Sequence, residues 1–243
     1  MAWRKGKLLE ESKERIERID RDRRVIDKKH GMVTAKLGDI KIGEARELEL
    51  AVLHVGIDDF KELTRDLTAP QLSQFLSLYL TEMMHIIKEY NGATAKYVDD
   101  KVTALLGVGV NGARACQDAI DSALSMLTDI KYSINPYFSK IGLPVFSCAV
   151  GIDFGVVWIE RIGSEGENQF CQVGSTVNIA AQLEKLAGKN KILIGHDVFR
   201  NLNEEEKERC RLQQIGNSWR WKYGEEYYPY YAYVGIWNGY PLT

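Results

Sequence analysis

Apolar residues recur at three- and four-residue spacing between residues 72 and 90, a pattern that predicts a long amphipathic helix. Thr68 and Gln71 have the spacing of a capping box just before it, and Pro70 lies in its first turn. Asn91 and Gly92 are suited to end it. Residues 113–127 predict a further helix with a small-residue face of alanines, and residues 176–187 and 197–202 also predict helices.

Mostly apolar runs at 48–57, 102–106, 145–152 and 192–194 predict buried strands. Residues 169–173 predict a short strand, residues 155–163 a strand pair, and residues 135–144 an irregular link. Residues 96–98 and 102–106 flank the turn Asp99-Asp100-Lys101 and together predict a hairpin. Because strands and helices are intermixed along the chain, the predicted fold class is α+β, in one main domain.

The two ends of the chain differ from this core. Residues 8–29 are densely charged, with a thin apolar stripe at roughly helical spacing, which predicts a helical arm, either packed on a partner surface or solvated. Residues 218–237 are rich in Trp and Tyr and predict an aromatic hairpin that closes one edge of the sheet. The rings there serve packing or base stacking. The predicted division is an arm and connector at 1–45, a domain at 46–238 and a tail at 239–243.

Composition narrows the classes of function. The 243 residues are 45% hydrophobic and 27% charged, as in soluble globular proteins, and the formal charge of −2 gives no general reason to bind nucleic acid or an anionic membrane. No apolar run approaches the roughly 18 residues of a membrane span, and the N-terminus lacks an apolar signal core, so we expect a cytoplasmic protein with no membrane or nucleic-acid partner. The scattered cysteines and histidines predict reduced thiols, not a disulfide framework or a zinc site.

The tip of the predicted hairpin carries the most suggestive chemistry. Asp99 and Asp100 are adjacent carboxylates flanked by Lys96 and Lys101. Such a group could hold a divalent metal and a phosphate together. A solvated turn is the alternative, because Asp is a common turn residue.

The order of these pieces resembles the class III nucleotidyl cyclase catalytic domain. The resemblance covers residues 48–202 and continues more loosely through the aromatic hairpin. Five segments carry it together, in order and at matching spacing: VLHVGIDDF at 52–60, YNG at 90–92 with KYVDD at 96–100, GIDFG at 151–155, RIG at 161–163 and VGSTVNIAA at 173–181. It implies a ferredoxin-like βαββαβ core, extended here by the C-terminal hairpin and preceded by the helical arm.

The resemblance also implies an activity and a partner. Members of the family pair head to tail as homodimers with active sites at the interface, and they convert a nucleoside triphosphate into a 3′,5′-cyclic nucleotide and pyrophosphate with two metal ions, Mn²⁺ or Mg²⁺. Asp100 falls on a metal ligand, and Ile57 on the residue whose carbonyl joins it. Lys96 falls on the base-reading lysine and Asn178 on the asparagine that orients the ribose. Lys222 is the nearest candidate for the lysine that binds the terminal phosphates.

Other positions depart from the family pattern. Gly56 stands where a second metal-binding aspartate is expected, Cys171 where a purine-reading group is expected, and Gln182 where a transition-state arginine is expected. One interpretation is a rebuilt enzyme, in which Asp58 and Asp99 supply the missing metal carboxylates. The other is a degenerate domain that binds a nucleotide or dimerises as a sensor.

We expect the rebuilt enzyme. Because a thiol cannot accept a hydrogen bond from an adenine amine as a carboxylate does, Cys171 favours a pyrimidine substrate, UTP or CTP, over ATP. The resemblance extends to small bacterial cyclases that make cyclic UMP or cyclic CMP in antiviral defence. An adenylate cyclase is the remaining alternative.

Overall fold

The computed structural model describes residues 24–25, 39–237 and 240–241 of the chain. Its strands are β1 (Arg24–Val25), β2 (Glu44–Ile57), β3 (Ala93–Val98), β4 (Lys101–Leu106), β5 (Cys148–Ser164), β6 (Glu167–Val173), β7 (Lys191–Gly195), β8 (Cys210–Leu212), β9 (Lys222–Tyr223), β10 (Glu226–Tyr227), β11 (Tyr230–Tyr233), β12 (Ile236–Trp237) and β13 (Tyr240–Pro241). Its helices are α1 (Phe60–Thr64), α2 (Ala69–Glu89), α3 (Gly112–Asp129), α4 (Asn135–Ile141), α5 (Ser175–Ala187), α6 (His196–Asn201) and α7 (Glu204–Glu208), and a π-helical turn at Ile130–Ile134 joins α3 to α4.

The main sheet has the strand order β3-β4-β2-β5-β7-β11-β8. Neighbouring strands in this order are antiparallel, except that β5 and β7 run parallel. The long strand β5 pairs with β2 over residues 148–160 and with β6 over residues 158–164. This order places the β3–β4 hairpin beside the C-terminal end of β2, where the candidate metal site is expected.

Each face of the sheet buries a different set of helices. Alternate residues of a strand point to opposite faces, and in β2 the residues Ala51, Leu53 and Val55 share a core cluster with α2, α3 and α4. Leu50 and Val52 instead share a cluster with Ala180 of α5. Even-numbered positions of β2, including Gly56, therefore face α5.

Most of the predicted elements are confirmed, and so is the α+β class. Helix α2 begins after the predicted capping residue, and the Gln71 side chain accepts a hydrogen bond from the Thr68 backbone N–H at 3.0 Å. The β3–β4 hairpin lies at the predicted position. The link at 135–144 is wrong in part, because residues 135–141 form α4, with Pro136 in its first turn.

Two predictions about strands are corrected. Residues 148–152 of the apolar run and the whole of the predicted strand pair at 155–163 belong to one 17-residue strand, β5, because pairing with β2 continues past the glycines. Within the predicted aromatic hairpin at 218–237, β9 and β10 pair with each other in a small sheet of their own, whereas β11 joins the main sheet between β7 and β8. The edge strand on this side of the main sheet is β8, which follows α7 in the chain and pairs with β11. Neither β8 nor α7 has a clear periodic pattern in the sequence.

Only Arg24–Val25 of the predicted arm lies within the described residues, and these two form a strand parallel to Glu44–Ala45. The remainder of the predicted helix at 8–29 lies outside them. In the part of the chain that the structure describes, no helix is both long and apolar enough to cross a membrane.

Candidate active site

Asp100 ends the turn of the β3–β4 hairpin and lies against the end of β2. The residue is 5% exposed, and its Oδ2 accepts a hydrogen bond from the Ile57 backbone N–H at 2.7 Å. Burial raises the pKa of the Asp100 carboxyl, while the hydrogen bonds from backbone N–H groups and the charge of Lys101 act in the opposite direction. The predicted pair Asp100 and Ile57 is therefore brought together, with a carboxylate fixed at the joint of two strands.

Gly56 precedes this joint on the face of β2 that α5 covers. A Cβ added to Gly56 would lie 2.5 Å from Oε1 of Glu184 and 3.2 Å from Cγ of Lys101. The space that a side chain at position 56 would need is thus already taken. A carboxylate is present at this place, but it comes from α5 instead of β2.

Glu184 forms an ion pair with Lys101, the first residue of β4. Lys101 Nζ donates to Oε1 at 2.9 Å and to Oε2 at 2.8 Å. The Glu184 side chain is 7% exposed and that of Lys101 is 44% exposed. A buried carboxylate needs such a partner, because removal from water costs several kcal/mol when the charge is left alone.

His54 lies on the same face of β2, two residues before Gly56. Its Nδ1 is 3.2 Å from Thr103 Oγ1, and its Nε2 is buried without a hydrogen-bond partner among the described residues. Burial, followed by the positive charges of Lys101 and Lys185, lowers the pKa of His54 to about 4. The ring is therefore neutral at physiological pH and adds no positive charge to the site.

The depressed pKa of His54 predicts a loss of stability in acid. The pKa of the ring is 6.5 in the unfolded chain and about 4 in the folded one. The stability that the neutral ring contributes to the fold is therefore complete above the unfolded pKa and is lost as pH falls through this window. We expect the free energy of unfolding to fall by about 2 kcal/mol between pH 7 and about pH 5 from this residue. Denaturant titrations of the wild type and His54→Gln at both pH values measure it. An equal pH dependence in both proteins would contradict the assignment.

The substrate-binding and catalytic candidates lie elsewhere on the surface. Asn178 is exposed and Gln182 half-buried, one turn apart on α5, so both lie away from the buried stripe that carries Glu184. Lys96 is exposed on β3, and Cys171 is half-buried on β6, opposite Glu160 of β5.

Lys222 is exposed on β9, outside the main sheet, with its ammonium 5.6 Å from the centre of the Tyr227 ring. No hydrogen bond or ion pair joins Lys222, Lys96, Asn178, Gln182 or Cys171 to Asp100 within the described residues. In the described part of a single copy, these groups therefore make no direct polar contact with the carboxylate.

Of the other metal candidates, Asp99 directly precedes Asp100, and its charge acts to raise the pKa of the Asp100 carboxyl. Asp58 is half-buried in the turn that follows β2, so it does not continue the alternation of the strand, and Asp99 is exposed in the hairpin turn with a φ of 53°. Within residues 24–25, 39–237 and 240–241, no group of three or more His, Cys, Asp or Glu side chains could hold a metal ion. The side chains present do not fit a two-metal site. Asp100 offers carboxylate oxygens, which are the ligands that a hard cation prefers.

Glu184 was not predicted from the sequence, and Lys101 was interpreted as a turn residue that flanks the two carboxylates of the hairpin tip. Glu184 lies on the stripe of α5 that includes Ile179, Ala180, Leu183 and Ala187. A charged residue on an apolar stripe was the available signal, because such a residue requires a buried partner. Its partner is 83 residues away in sequence and could not be identified without the pairing of the strands.

Comparison with known proteins places the chain in a family. The profile of the adenylate and guanylate cyclase catalytic domain matches residues 44–219. An adenylate cyclase of Anabaena cylindrica is 29% identical over 200 residues, which are 80% of this chain and 39% of that protein. The uridylate cyclase of Rhodovulum sp. (strain MB263) is 23% identical over 192 residues, which are 75% of this chain and 78% of that protein.

The fold agrees with this placement. The crystal structure of the adenylyl cyclase CyaB from P. aeruginosa superimposes with a TM-score of 0.70 at 23% identity, covering 81% of this chain and 98% of that one. The predicted class III cyclase fold is thereby confirmed, with the matched region beginning at β2 and including the hairpin, β5 and α5. The chain belongs to the adenylate and guanylate cyclase catalytic domain family.

Proposed function

We propose that the chain is a nucleotidyl cyclase, a phosphorus–oxygen lyase that converts UTP or CTP into a 3′,5′-cyclic nucleotide and pyrophosphate. The observation that carries the proposal is the Asp100 carboxylate, buried and fixed by the Ile57 N–H at the junction of β2 and the hairpin. The chain is similar to proteins named as cyclases, and its buried Asp100 offers a fixed carboxylate of the kind that the chemistry needs.

In the proposed reaction the ribose 3′-oxygen attacks the α-phosphorus. A new phosphorus–oxygen bond forms, the bond to the bridging oxygen of the β-phosphate breaks, and pyrophosphate leaves while the hydroxyl proton is lost. One divalent cation, Mn²⁺ or Mg²⁺, held by Asp100 and the Ile57 carbonyl, would supply charge neutralisation at the phosphates when bound. Asn178 orients the ribose, and Gln182 and Lys222 bind phosphate oxygens as hydrogen-bond donors.

A homodimer is part of the proposal, because one copy does not bring Asn178 and Gln182 to Asp100. Tyr97 of the hairpin and Val173 of β6 are each 58% exposed. Such exposed apolar side chains support an interface with a second copy of the chain. In the proposed pairing, one protomer supplies Asp100 and its partner supplies α5. The contact would bury these apolar side chains.

The pyrimidine preference rests on the pair Lys96 and Cys171. The Lys96 ammonium only donates hydrogen bonds, and it can donate to the O2 or O4 carbonyls of a pyrimidine. The Cys171 thiol is a weak donor and a weak acceptor, so it cannot replace a carboxylate that accepts from an adenine amine. The role in antiviral defence is a further proposal, and it stands only if a cyclic pyrimidine nucleotide is the product.

Turnover of the four triphosphates under identical conditions tests the base preference. With Mn²⁺, we expect kcat/KM for UTP or CTP to exceed that for ATP by at least about 10-fold, the discrimination expected from a mismatched hydrogen-bonding group. Cys171→Asp should shift the ratio toward ATP, with Cys210→Ser, a half-buried cysteine on the edge strand β8, as the matched control. A wild type that cyclises ATP faster than UTP and CTP would show that the preference is wrong and favour an adenylate cyclase.

A non-catalytic nucleotide-binding module is the second candidate, and the absence of a carboxylate at Gly56 favours it. Both candidates predict that a triphosphate raises the melting temperature. Only the enzyme releases pyrophosphate. Stabilisation of the full chain by every triphosphate with no release of pyrophosphate from any of them would support the module.

A further inference from the structure

The Lys101–Glu184 pair lies inside the candidate site but has no role in the reaction described above. Helix α5 packs on the sheet through Ile179, Leu183 and Ala187, and Glu184 extends from the same buried stripe. Both of its carboxylate oxygens accept from Lys101 Nζ, at 2.9 and 2.8 Å. If the residue at position 184 only packed α5 on the sheet, an apolar side chain would suffice, because an ion pair buried in place of apolar contacts seldom adds stability.

The carboxylate of Glu184 occupies the space of a side chain at position 56. An added Cβ on Gly56 would be 2.5 Å from Oε1 of Glu184. From bonded C–C and C–O lengths, an aspartate oxygen lies roughly 2.4 Å from its own Cβ. The Glu184 oxygen is thus about as far from that Cβ as the oxygen of an aspartate at 56 would be. With Glu184 in this position the space is filled, and the carboxylate that fills it comes from α5.

The charge that faces this carboxylate is the ammonium of Lys101. The charge of the same ammonium acts to lower the pKa of Asp100, against the larger effect of burial, and to lower the pKa of His54. Lys101 directly follows Asp100 in the chain, and its ammonium is bonded to the carboxylate that fills the space at position 56. A divalent ion held beside the Lys101 ammonium, whose side chain is 44% exposed, would be repelled by it, because like charges a few ångströms apart interact unfavourably.

We propose that the Lys101–Glu184 pair replaces one of the two metal ions and its aspartate ligand, so that each site of this cyclase binds a single divalent cation, at Asp100. The inference rests on the proposed function for the identity of the site. It concerns the number of bound ions and not the turnover. The lysine supplies a permanent positive charge, and Glu184 holds it in place.

Counting bound Mn²⁺ tests the proposal without reference to activity. The full chain is titrated with Mn²⁺ in the presence of a saturating α,β-methylene triphosphate, and bound ions are counted by electron paramagnetic resonance against the same analogue without protein. The wild type is expected to bind one Mn²⁺ per chain with no magnetic coupling between ions. Lys101→Met removes the charge and frees Glu184, so its count should rise to two, whereas Lys101→Arg should keep a count of one.

Wild-type counts of zero or two, or a count of one for a folded Lys101→Met, would overturn the proposal. If Lys101→Met does not fold, the number of Mn²⁺ ions bound by the wild type and the magnetic coupling between them decide the proposal without the variant. The test is separable from the proposed function. One bound ion without turnover would support the single-ion site and contradict the cyclase activity. Turnover with two coupled ions would support the cyclase activity and overturn the single-ion site.

Discussion

Asp100→Asn is expected to lower kcat/KM for the preferred triphosphate by about 1000-fold while the protein remains folded. The asparagine oxygen can still accept the hydrogen bond from the Ile57 N–H, which Asp100 Oδ2 accepts at 2.7 Å. Burial already favours the neutral form of this carboxyl, as its raised pKa shows, so a neutral amide adds no large cost to folding. Only the negative charge that would hold a cation is removed. Initial rates of pyrophosphate release measure the loss of activity, and a thermal melt measures whether the variant remains folded.

Asp66→Asn is the matched control, because the Asp66 side chain is 90% exposed and lies in the loop between α1 and α2. We expect its rate and melting temperature to equal those of the wild type. Asp99→Asn in the same assay tests the prediction that Asp99 also contributes a metal carboxylate, which requires a loss of similar size. Turnover within about 10-fold of the wild type in Asp100→Asn would remove Asp100 from the site.

Gly151→Ala is expected to lower the free energy of unfolding by at least about 3 kcal/mol, the upper range for overpacking a core. A Cβ at this position would meet the backbone of α5 at Ala180 O and Glu184 N. Both distances are well under 3.0 Å, and real Cβ atoms essentially never show contacts shorter than that. Backbone atoms cannot move aside as a flexible side chain does, so the whole helix must shift away from β5. The helix carries Asn178, so activity should fall as well. The melting temperature should drop by about 6–12 °C.

Gly216→Ala provides the control for this change, because a Cβ added there meets nothing within 4 Å. Thermal and urea unfolding of the two variants against the wild type make the comparison. If Gly151→Ala is as stable as Gly216→Ala, then α5 does not pack against β5 through its backbone as described, and the placement of Glu184 beside Gly56 loses its support.

The sequence predicted those parts of the fold that follow from local patterns. Helix α2 has nine apolar positions at helical spacing and a capping box, and its bounds were found to within one residue. The division of residues 145–163 into separate strands was wrong because the glycines in that run resemble turn signals. In the fold they allow close contact, as Gly151 does beneath α5.

The candidate site could be predicted only where its residues are near one another in sequence or belong to a motif. Asp100 was identified from the hairpin tip, and Ile57 from the resemblance that the family match confirmed. The pair Lys101 and Glu184 depends on α5 packing over the end of β2, which no local pattern encodes. The space filled at Gly56 follows from that packing too, and for this reason Asp58 and Asp99 were the only visible substitutes for the missing carboxylate.

Product analysis of the wild-type chain decides whether it is a nucleotidyl cyclase. The protein is incubated with UTP, CTP, ATP or GTP and Mn²⁺, and the products are separated and identified by mass. We expect equimolar pyrophosphate and 3′,5′-cyclic nucleotide from at least one triphosphate, with a pyrimidine preferred. No cyclic product from any of the four, or release of inorganic phosphate with only linear nucleotides, would show that the proposed activity is wrong.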